Sequence, residues 1–122
     1  MSKVAVVLDP NSDVTRAVPA VRAATGAALS DIVNRARSGR PIAEFVLFGN
    51  DHDDVAARLR ELTSALPDTG VGARLYELDD DETLLPPSDR GQAEIDLETL
   101  TNILDAYEGE RERQRELSER GL

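Results

Sequence analysis

The amino-acid sequence predicts an α+β domain in which a three-stranded antiparallel sheet is covered by helices. Two kinds of periodicity carry this prediction. Apolar or alternating runs of strand length start near residues 4, 42 and 73, and apolar residues with helical spacing fill the intervals between them. The order of elements over residues 1–79 is therefore β-α-α-β-α-β, which folds into two layers. Further helical spacing within residues 93–122 predicts a C-terminal helix.

The first strand and the two helices after it are bounded by residues that interrupt regular structure. Val4–Leu8 is a continuous apolar run followed by an Asp-Pro pair, as expected of a buried strand. We expect the next helix to begin near Thr15, because Pro19 then falls in its first turn, where the missing N–H costs little. Gly26 ends this helix. A second short helix follows, with four apolar residues at helical spacing: Leu29, Ile32, Val33 and Ala36.

The rest of the domain alternates between strand and helix in the same way. Residues 42–48 form a β-type run, and Asn50 is placed to cap the helix that follows. We expect Pro67 to end this helix and Arg60 to point toward water. Residues 73–78 alternate between apolar and polar, as a half-buried strand does. The stripe of the long helix that faces the core consists of Val55, Leu59, Leu62 and Leu66.

The last third of the chain has a different composition. Residues 80–92 are acidic, contain prolines and lack periodicity, which predicts a flexible linker. Residues 93–122 form a helix with a charged tail. We expect its apolar seam to pack back on the domain, which leaves a monomer; a weak dimer through this helix is the alternative. The seam consists of Leu97, Leu100, Leu104 and Tyr107.

Composition restricts the classes of partner and the compartment. The net charge is −10, from 24 acidic and 14 basic residues, which disfavours nucleic-acid binding and favours a positively charged protein partner. The chain has no cysteine, which excludes disulfides and thiol chemistry and suits a reducing compartment. The N-terminal apolar run is too short for a signal peptide or a membrane span. We therefore expect a cytoplasmic protein without membrane attachment, and the Ala, Arg and Asp bias suggests a bacterial source.

No motif in the sequence predicts catalysis, a metal site or a cofactor. The GxSxG, Walker, dinucleotide-binding and HExxH patterns do not occur. His52 lies among the carboxylates of Asp51, Asp53 and Asp54, but neighbouring helical residues do not converge on one point. We expect these four residues to form an exposed helix start and not a metal site. The sequence therefore favours a protein that is not an enzyme.

One segment resembles a known family. A break between two short helices carries a spaced set of residues: Val18, Val21, Arg22, Thr25, Gly26 and Leu29. With the order of elements over residues 3–79, this segment resembles the C-terminal domain of the bacterial ribosomal stalk protein (large-subunit protein seven/twelve). In that fold, Gly26 would permit a tight reversal, Val21 and Leu29 would pack beneath it, and Arg22 would remain exposed.

The resemblance implies a non-catalytic protein-binding module. The stalk protein recruits translational GTPases through positive charges on this pair of helices. Among the corresponding positions, this chain keeps a positive charge at Arg22 alone, although Arg16 and Arg37 lie nearby. The candidate binding residues are therefore Arg16, Arg22, Thr25, Gly26 and Arg37.

The sequence leaves three functions open, all of them non-catalytic. The first is an acidic inhibitor or immunity-type protein that occludes a basic toxin or nuclease. The second is a ribosome-associated protein that binds translational GTPases through the two short helices. The third is an adaptor for a Clp-type unfoldase, since the Clp adaptor shares this general fold and this chain has Asp9, Asn11 and Asp13 after its first strand.

Overall fold

The computed structural model describes residues 2–79, 81–84 and 93–119. Within this part of the chain, a 3₁₀ turn, four α-helices and four strands follow one another. Their order is β1 (Ser2–Leu8), the 3₁₀ turn (Val14–Ala17), α1 (Val18–Thr25), α2 (Leu29–Arg37), β2 (Ala43–Val46), α3 (His52–Thr69), β3 (Ala73–Asp79), β4 (Glu94–Ile95) and α4 (Leu97–Glu119).

The strands form one antiparallel sheet in the order β2-β1-β3-β4. The predicted α+β class, with helices over a sheet, is confirmed. The sheet has four described strands where the sequence predicted three. The extra strand, β4, pairs two residues with β3, Glu94 opposite Tyr76 and Ile95 opposite Leu75. A strand of two residues is too short to produce a recognisable alternation, which explains why the pattern did not reveal it.

Both faces of β1 are buried, which explains its continuous apolar run. Val4 and Val6 point into the main core beneath the helices, whereas Ala5 and Val7 belong to a smaller cluster on the opposite face of the sheet. Leu84 packs against this smaller cluster. Leu84 lies in the predicted acidic linker, so one described part of that segment covers the sheet; the remainder, residues 80 and 85–92, lies outside the described residues.

The two short helices meet at the predicted break. Gly26 adopts the left-handed conformation, with φ +71°, and caps α1. Pro19 lies in the first turn of α1, because the preceding residues form the 3₁₀ turn instead of an α-helix. The packing predicted for Leu29 is wrong, since its side chain is 53% exposed. Leu29 is the first residue of α2, and Ile32, one turn later, enters the core instead.

The boundaries of α3 differ from the prediction at both ends. Asp51, not Asn50, is the N-cap residue, and no side chain bonds the free N–H groups there. Pro67 lies inside the helix, which continues to Thr69 and ends at Gly70 with φ +74°. Pro67 lies in the last turn of α3, where the Gly70 N–H bonds to the Pro67 carbonyl and the Thr69 hydroxyl donates to the Leu66 carbonyl.

The C-terminal helix α4 packs on the domain of its own chain. Leu100 and Leu104 are both 1% exposed and belong to the main core, and Tyr107 is half-buried. The first residue of the predicted seam, Leu97, does not enter the core and is 49% exposed. In the described part of the chain, no helix is long and apolar enough to span a bilayer.

Candidate protein-docking site

Charge is distributed unevenly along the chain. Residues 14–42, which contain the 3₁₀ turn, α1 and α2 and are called the helix pair below, include five arginines and one acidic residue, Asp31. Their net charge is +4, so the other residues together carry −14. The helix pair is therefore a basic segment of an acidic protein, and it contains every residue predicted to bind a partner.

The arginines of the helix pair also differ in their partners. Arg16 forms a loose ion pair with Asp13 (3.7 Å), whereas exposed Arg22, Arg35 and Arg37 form no ion pair with any described residue. The described arginines after residue 42 are nearly all paired, Arg115 being the exception. These ion pairs are Arg58–Asp54, Arg60–Asp105, Arg60–Glu108, Arg74–Glu94, Arg111–Asp53 and Arg113–Glu110.

Thr25 and Gly26 shape the helix pair instead of presenting binding groups. The Thr25 hydroxyl donates to the Val21 carbonyl (2.8 Å) and accepts the Ala27 N–H (3.2 Å). The Gly26 N–H donates to the Arg22 carbonyl (2.8 Å). These bonds fix the reversal between α1 and α2, and hence the position of Arg22 one turn before it.

The structure brings Arg16 and Arg37 close to one carboxylate. The pKa of Asp13 is lowered, first by a hydrogen bond from Thr15 and further by the charges of Arg16 and Arg37. Arg22 is not among the groups that lower this pKa. The predicted binding residues therefore form two subsets: Arg16 and Arg37 around Asp13, and Arg22 beside the reversal.

Leu29 belongs to this surface, although the sequence analysis assigned it to the core. Leu29, Val33 and Arg37 follow at i, i+4 and i+8 and so share one side of α2. Val33 is half-buried, while Leu29 and Arg37 are exposed. A signal was present in the sequence, because Leu29 is the first residue of its helix and is followed by the polar pair Ser30-Asp31.

His52 is the largest departure from the sequence prediction. Its side chain is 0% exposed, not an exposed helix start, and its ring clusters with those of Phe48 (5.7 Å between centroids) and Tyr107 of α4 (4.4 Å). The His52 Nδ1 accepts the Phe48 N–H (3.1 Å), so the neutral ring carries its proton on Nε2. That atom has no hydrogen-bond partner among the described residues and lies 3.7 Å from Glu108 Oε1.

Ion pairs near His52 connect α4 to α3. Arg60, whose side chain is 41% exposed, donates to Glu108 (3.1 and 3.3 Å) and to Asp105 (2.9 Å). Arg111 of α4 bonds to Asp53 of α3, and this bond is the first cause of the lowered pKa of Asp53. Because the cluster is enclosed by Phe48, Tyr107 and these ion pairs, we interpret it as the attachment of α4.

The part of the chain that the structure describes holds no group of three or more His, Cys, Asp or Glu residues arranged to bind a metal. It does contain an apolar cleft of about 720 Å³ where α3, β3, β4 and the start of α4 meet. The apolar side chains at this cleft include Leu66, Val71, Leu75, Ile95 and Leu97, and its polar ones include Arg74, Glu94 and Asp96.

Comparison with known proteins returned no family model, no curated protein and no solved structure that matches this chain. The resemblance to the ribosomal stalk domain is therefore still a prediction. The geometry described above is what bears on function.

Proposed function

We propose that this protein is a non-catalytic docking module that presents its helix pair to an acidic surface on a partner protein. The observation that carries the proposal is the group of exposed arginines, Arg22, Arg35 and Arg37, that lack an ion-pair partner among the described residues. The chain has 24 acidic residues, so these cations lie unpaired on a protein rich in carboxylates. A partner with complementary charge would provide the missing contacts.

A protein surface fits these arginines better than nucleic acid does. The helix pair carries +4 and the rest of the chain −14, so a phosphate backbone meets net repulsion beyond a small footprint. Leu29 adds an exposed apolar side chain at the start of α2. Arg37 lies on the same side of α2 as Leu29, and arginine and exposed apolar side chains are among the residues that contribute most at protein–protein interfaces.

Translational GTPases are a specific version of this partner. The fixed reversal at Thr25 and Gly26, with exposed Arg22 one turn earlier, is the feature on which the resemblance to the stalk domain rests. Titration of the chain with a purified bacterial translational GTPase tests this version. We expect binding that Arg22→Glu weakens, and binding that is absent or indifferent to Arg22→Glu would contradict it.

A second candidate function uses the opposite charge. Asp96 and Glu98, which follow β4, form no ion pair with a described residue and lie in a strongly negative stretch of the chain. An inhibitor or immunity-type protein would present these carboxylates to a basic toxin or nuclease. We place either version in the cytoplasm, in keeping with the lack of cysteine.

Capture of partners at low salt by three forms of the tagged chain separates these functions. The forms are the natural chain, an Arg22→Glu/Arg37→Glu variant, and a control Arg113→Glu/Arg115→Glu variant with the same net charge of −14, calculated as −10 − 4. All four arginines are exposed, so every form should fold. We expect the natural chain and the control variant to capture acidic proteins at low salt, and the Arg22→Glu/Arg37→Glu variant to lose them. At high salt, all three forms should lose them.

Two results would contradict the proposal. Equal capture by the two double variants would show that the position of the arginines is irrelevant. Exclusive capture of basic proteins, unaffected by Arg22→Glu/Arg37→Glu, would favour the inhibitor or immunity-type function.

A further inference from the structure

Two of the exposed apolar side chains lie in opposite electrical surroundings. Leu29 (53% exposed) and Leu97 (49% exposed) are each the first residue of a helix. Leu29 lies on the helix pair with its unpaired arginines, whereas Leu97 follows Glu94 and Asp96 at the start of α4. Contiguous apolar surfaces rimmed by polar residues often mark contact surfaces, and Leu97 lines an apolar cleft.

Leu97 lies in a stretch of sequence that is mostly acidic, and Glu94 and Asp96 of that stretch line the cleft beside it. Among the described residues between 73 and 98, Arg74 is the one basic residue, and it pairs loosely with Glu94 (3.7 Å). We call this region the acidic edge because it contains the edge strand β4. Its described carboxylates belong to Glu77, Asp79, Asp81, Glu82, Glu94, Asp96 and Glu98.

The acidic edge also has a recess for an apolar side chain. The cleft of about 720 Å³ lies beside Leu97, with apolar walls that include Leu66, Val71 and Ile95. Glu94 and Asp96 also line the cleft. A leucine accompanied by arginines therefore matches this region in both polarity and charge, and the helix pair presents such a leucine.

We propose that a second copy of this chain docks its helix pair on the acidic edge, with Leu29 entering the cleft beside Leu97. The inference rests on the proposed function, because it identifies the partner that carries the acidic surface as a second copy of this chain. Arg37, which shares the side of α2 with Leu29, then faces the carboxylates of the other copy. Charge complementarity within a single sequence supports this occupant over an unrelated protein.

The geometry makes this association head-to-tail. Within the described sheet, the C-terminal end of the helix pair leads into the edge strand β2, whereas the cleft lies at the opposite edge strand β4. Each copy therefore uses two different surfaces and retains a free surface of each kind after one contact. Such a heterologous contact produces rings or open chains instead of closed two-fold dimers.

Sedimentation velocity on purified protein tests this proposal with two variants, Leu29→Asp and Leu97→Asp. Both side chains are about half exposed, so both variants should fold, which circular dichroism checks. At low salt, we expect the natural chain to sediment faster as its concentration rises and each variant alone to associate about tenfold more weakly. Leu97→Asp places a charge in the apolar lining of the cleft, and Leu29→Asp removes the leucine that enters the cleft.

A mixture of the two variants gives the decisive result. The intact helix pair of Leu97→Asp can dock on the intact acidic edge of Leu29→Asp. The two surfaces left free in this dimer are the substituted ones, so no third copy can bind. We therefore expect an equimolar mixture to form one-to-one dimers and no larger species. Monomers in the mixture, or a natural chain that stays monomeric at low salt, would overturn the proposal.

The experiments distinguish failure of the proposed self-association from failure of the proposed docking function. If the natural chain remains monomeric but loses captured acidic proteins on Arg22→Glu/Arg37→Glu, self-association falls and the docking function stands. If the natural chain remains monomeric and capture does not depend on those arginines, both fall.

Discussion

The helix pair and the α3–α4 contact place their charged residues in opposite situations. On the helix pair, Arg22, Arg35 and Arg37 are exposed and form no ion pair with described residues. Across α3 and α4, Arg60 and Arg111 reach carboxylates of the facing helix. The difference indicates that charges at the α3–α4 contact hold the fold together, whereas charges on the helix pair remain available to a partner.

The same contrast applies to the first residues of α3 and α2. His52 begins α3 and is enclosed by α4, whereas Leu29 begins α2 and faces solvent. Substitutions at the α3–α4 contact should therefore change the free energy of unfolding. Substitutions on the helix pair should change binding and leave stability nearly constant.

The largest expected effect is at the buried face of α4. Leu104→Ala should lower the free energy of unfolding by about 2–5 kcal/mol, because it removes a fully buried leucine from the main core. Leu97→Ala is the matched control and should change stability by less than about 1 kcal/mol, since its side chain is half exposed. Urea unfolding followed by circular dichroism measures both, and equal effects would mean that α4 is not part of the core.

The next effect is at His52. His52→Leu should lower the free energy of unfolding by about 1–3 kcal/mol, because it leaves the Phe48 N–H without its acceptor in a buried site. His52→Asn retains a side-chain acceptor and should lose less. If His52→Leu were as stable as the natural chain, the bond between Phe48 and His52 would not contribute to the attachment of α4.

A smaller effect compares one arginine from each region. Arg60→Ala should lower the free energy of unfolding by about 1 kcal/mol, since it removes the partner of two carboxylates on α4. Arg35→Ala, on the helix pair, should change it by less than about 0.5 kcal/mol, because this side chain is exposed and unpaired. A larger loss of unfolding free energy for Arg35→Ala than for Arg60→Ala would contradict the assignment of the α3–α4 contact to stability and of the helix pair to binding.

The smallest expected effect is a partial loss of the contacts and capping of α4 at low pH. The pKa of Asp53 is lowered first by the hydrogen bond from Arg111, and that of Asp96 first by its hydrogen bonds to Thr99. Both carboxylates therefore stabilise the docked α4 above their ordinary pKa of 3.8, and this stabilisation is lost as the pH falls through their lowered values.

Amide NMR signals of α4 should therefore shift or broaden below about pH 4, with smaller changes in α2. Asp53→Asn removes one of these titrating groups and should reduce the effect. Signals of α4 that remain constant down to pH 2, while those of α2 move first, would contradict this difference between the regions.

Local patterns in the sequence predicted much of the fold and little of the packing between helices. The apolar run of β1, the spacing within α3 and the αL glycine at Gly26 each depend on neighbouring residues. They could therefore be predicted from short windows. β4 could not, because its two residues owe their conformation to pairing with Leu75 and Tyr76.

The candidate site shows the same limit. Arg22 and Arg37 were predicted to be exposed binding residues from helix position and charge, and the structure places both in solvent. The burial of His52 could not be predicted, because it depends on Tyr107, 55 positions later in the sequence. Leu29 was assigned to the core because helical spacing alone does not show where a helix begins to contact the sheet.

Amide hydrogen exchange on the complex recovered by the natural chain tests the central claim most directly. The exchange of every helix is compared between the free chain and the complex. We expect slowed exchange in residues 14–42 and unchanged exchange in the second half of α4. Slowed exchange on α4 with an unchanged helix pair would show that the docking surface has been assigned to the wrong side of the molecule.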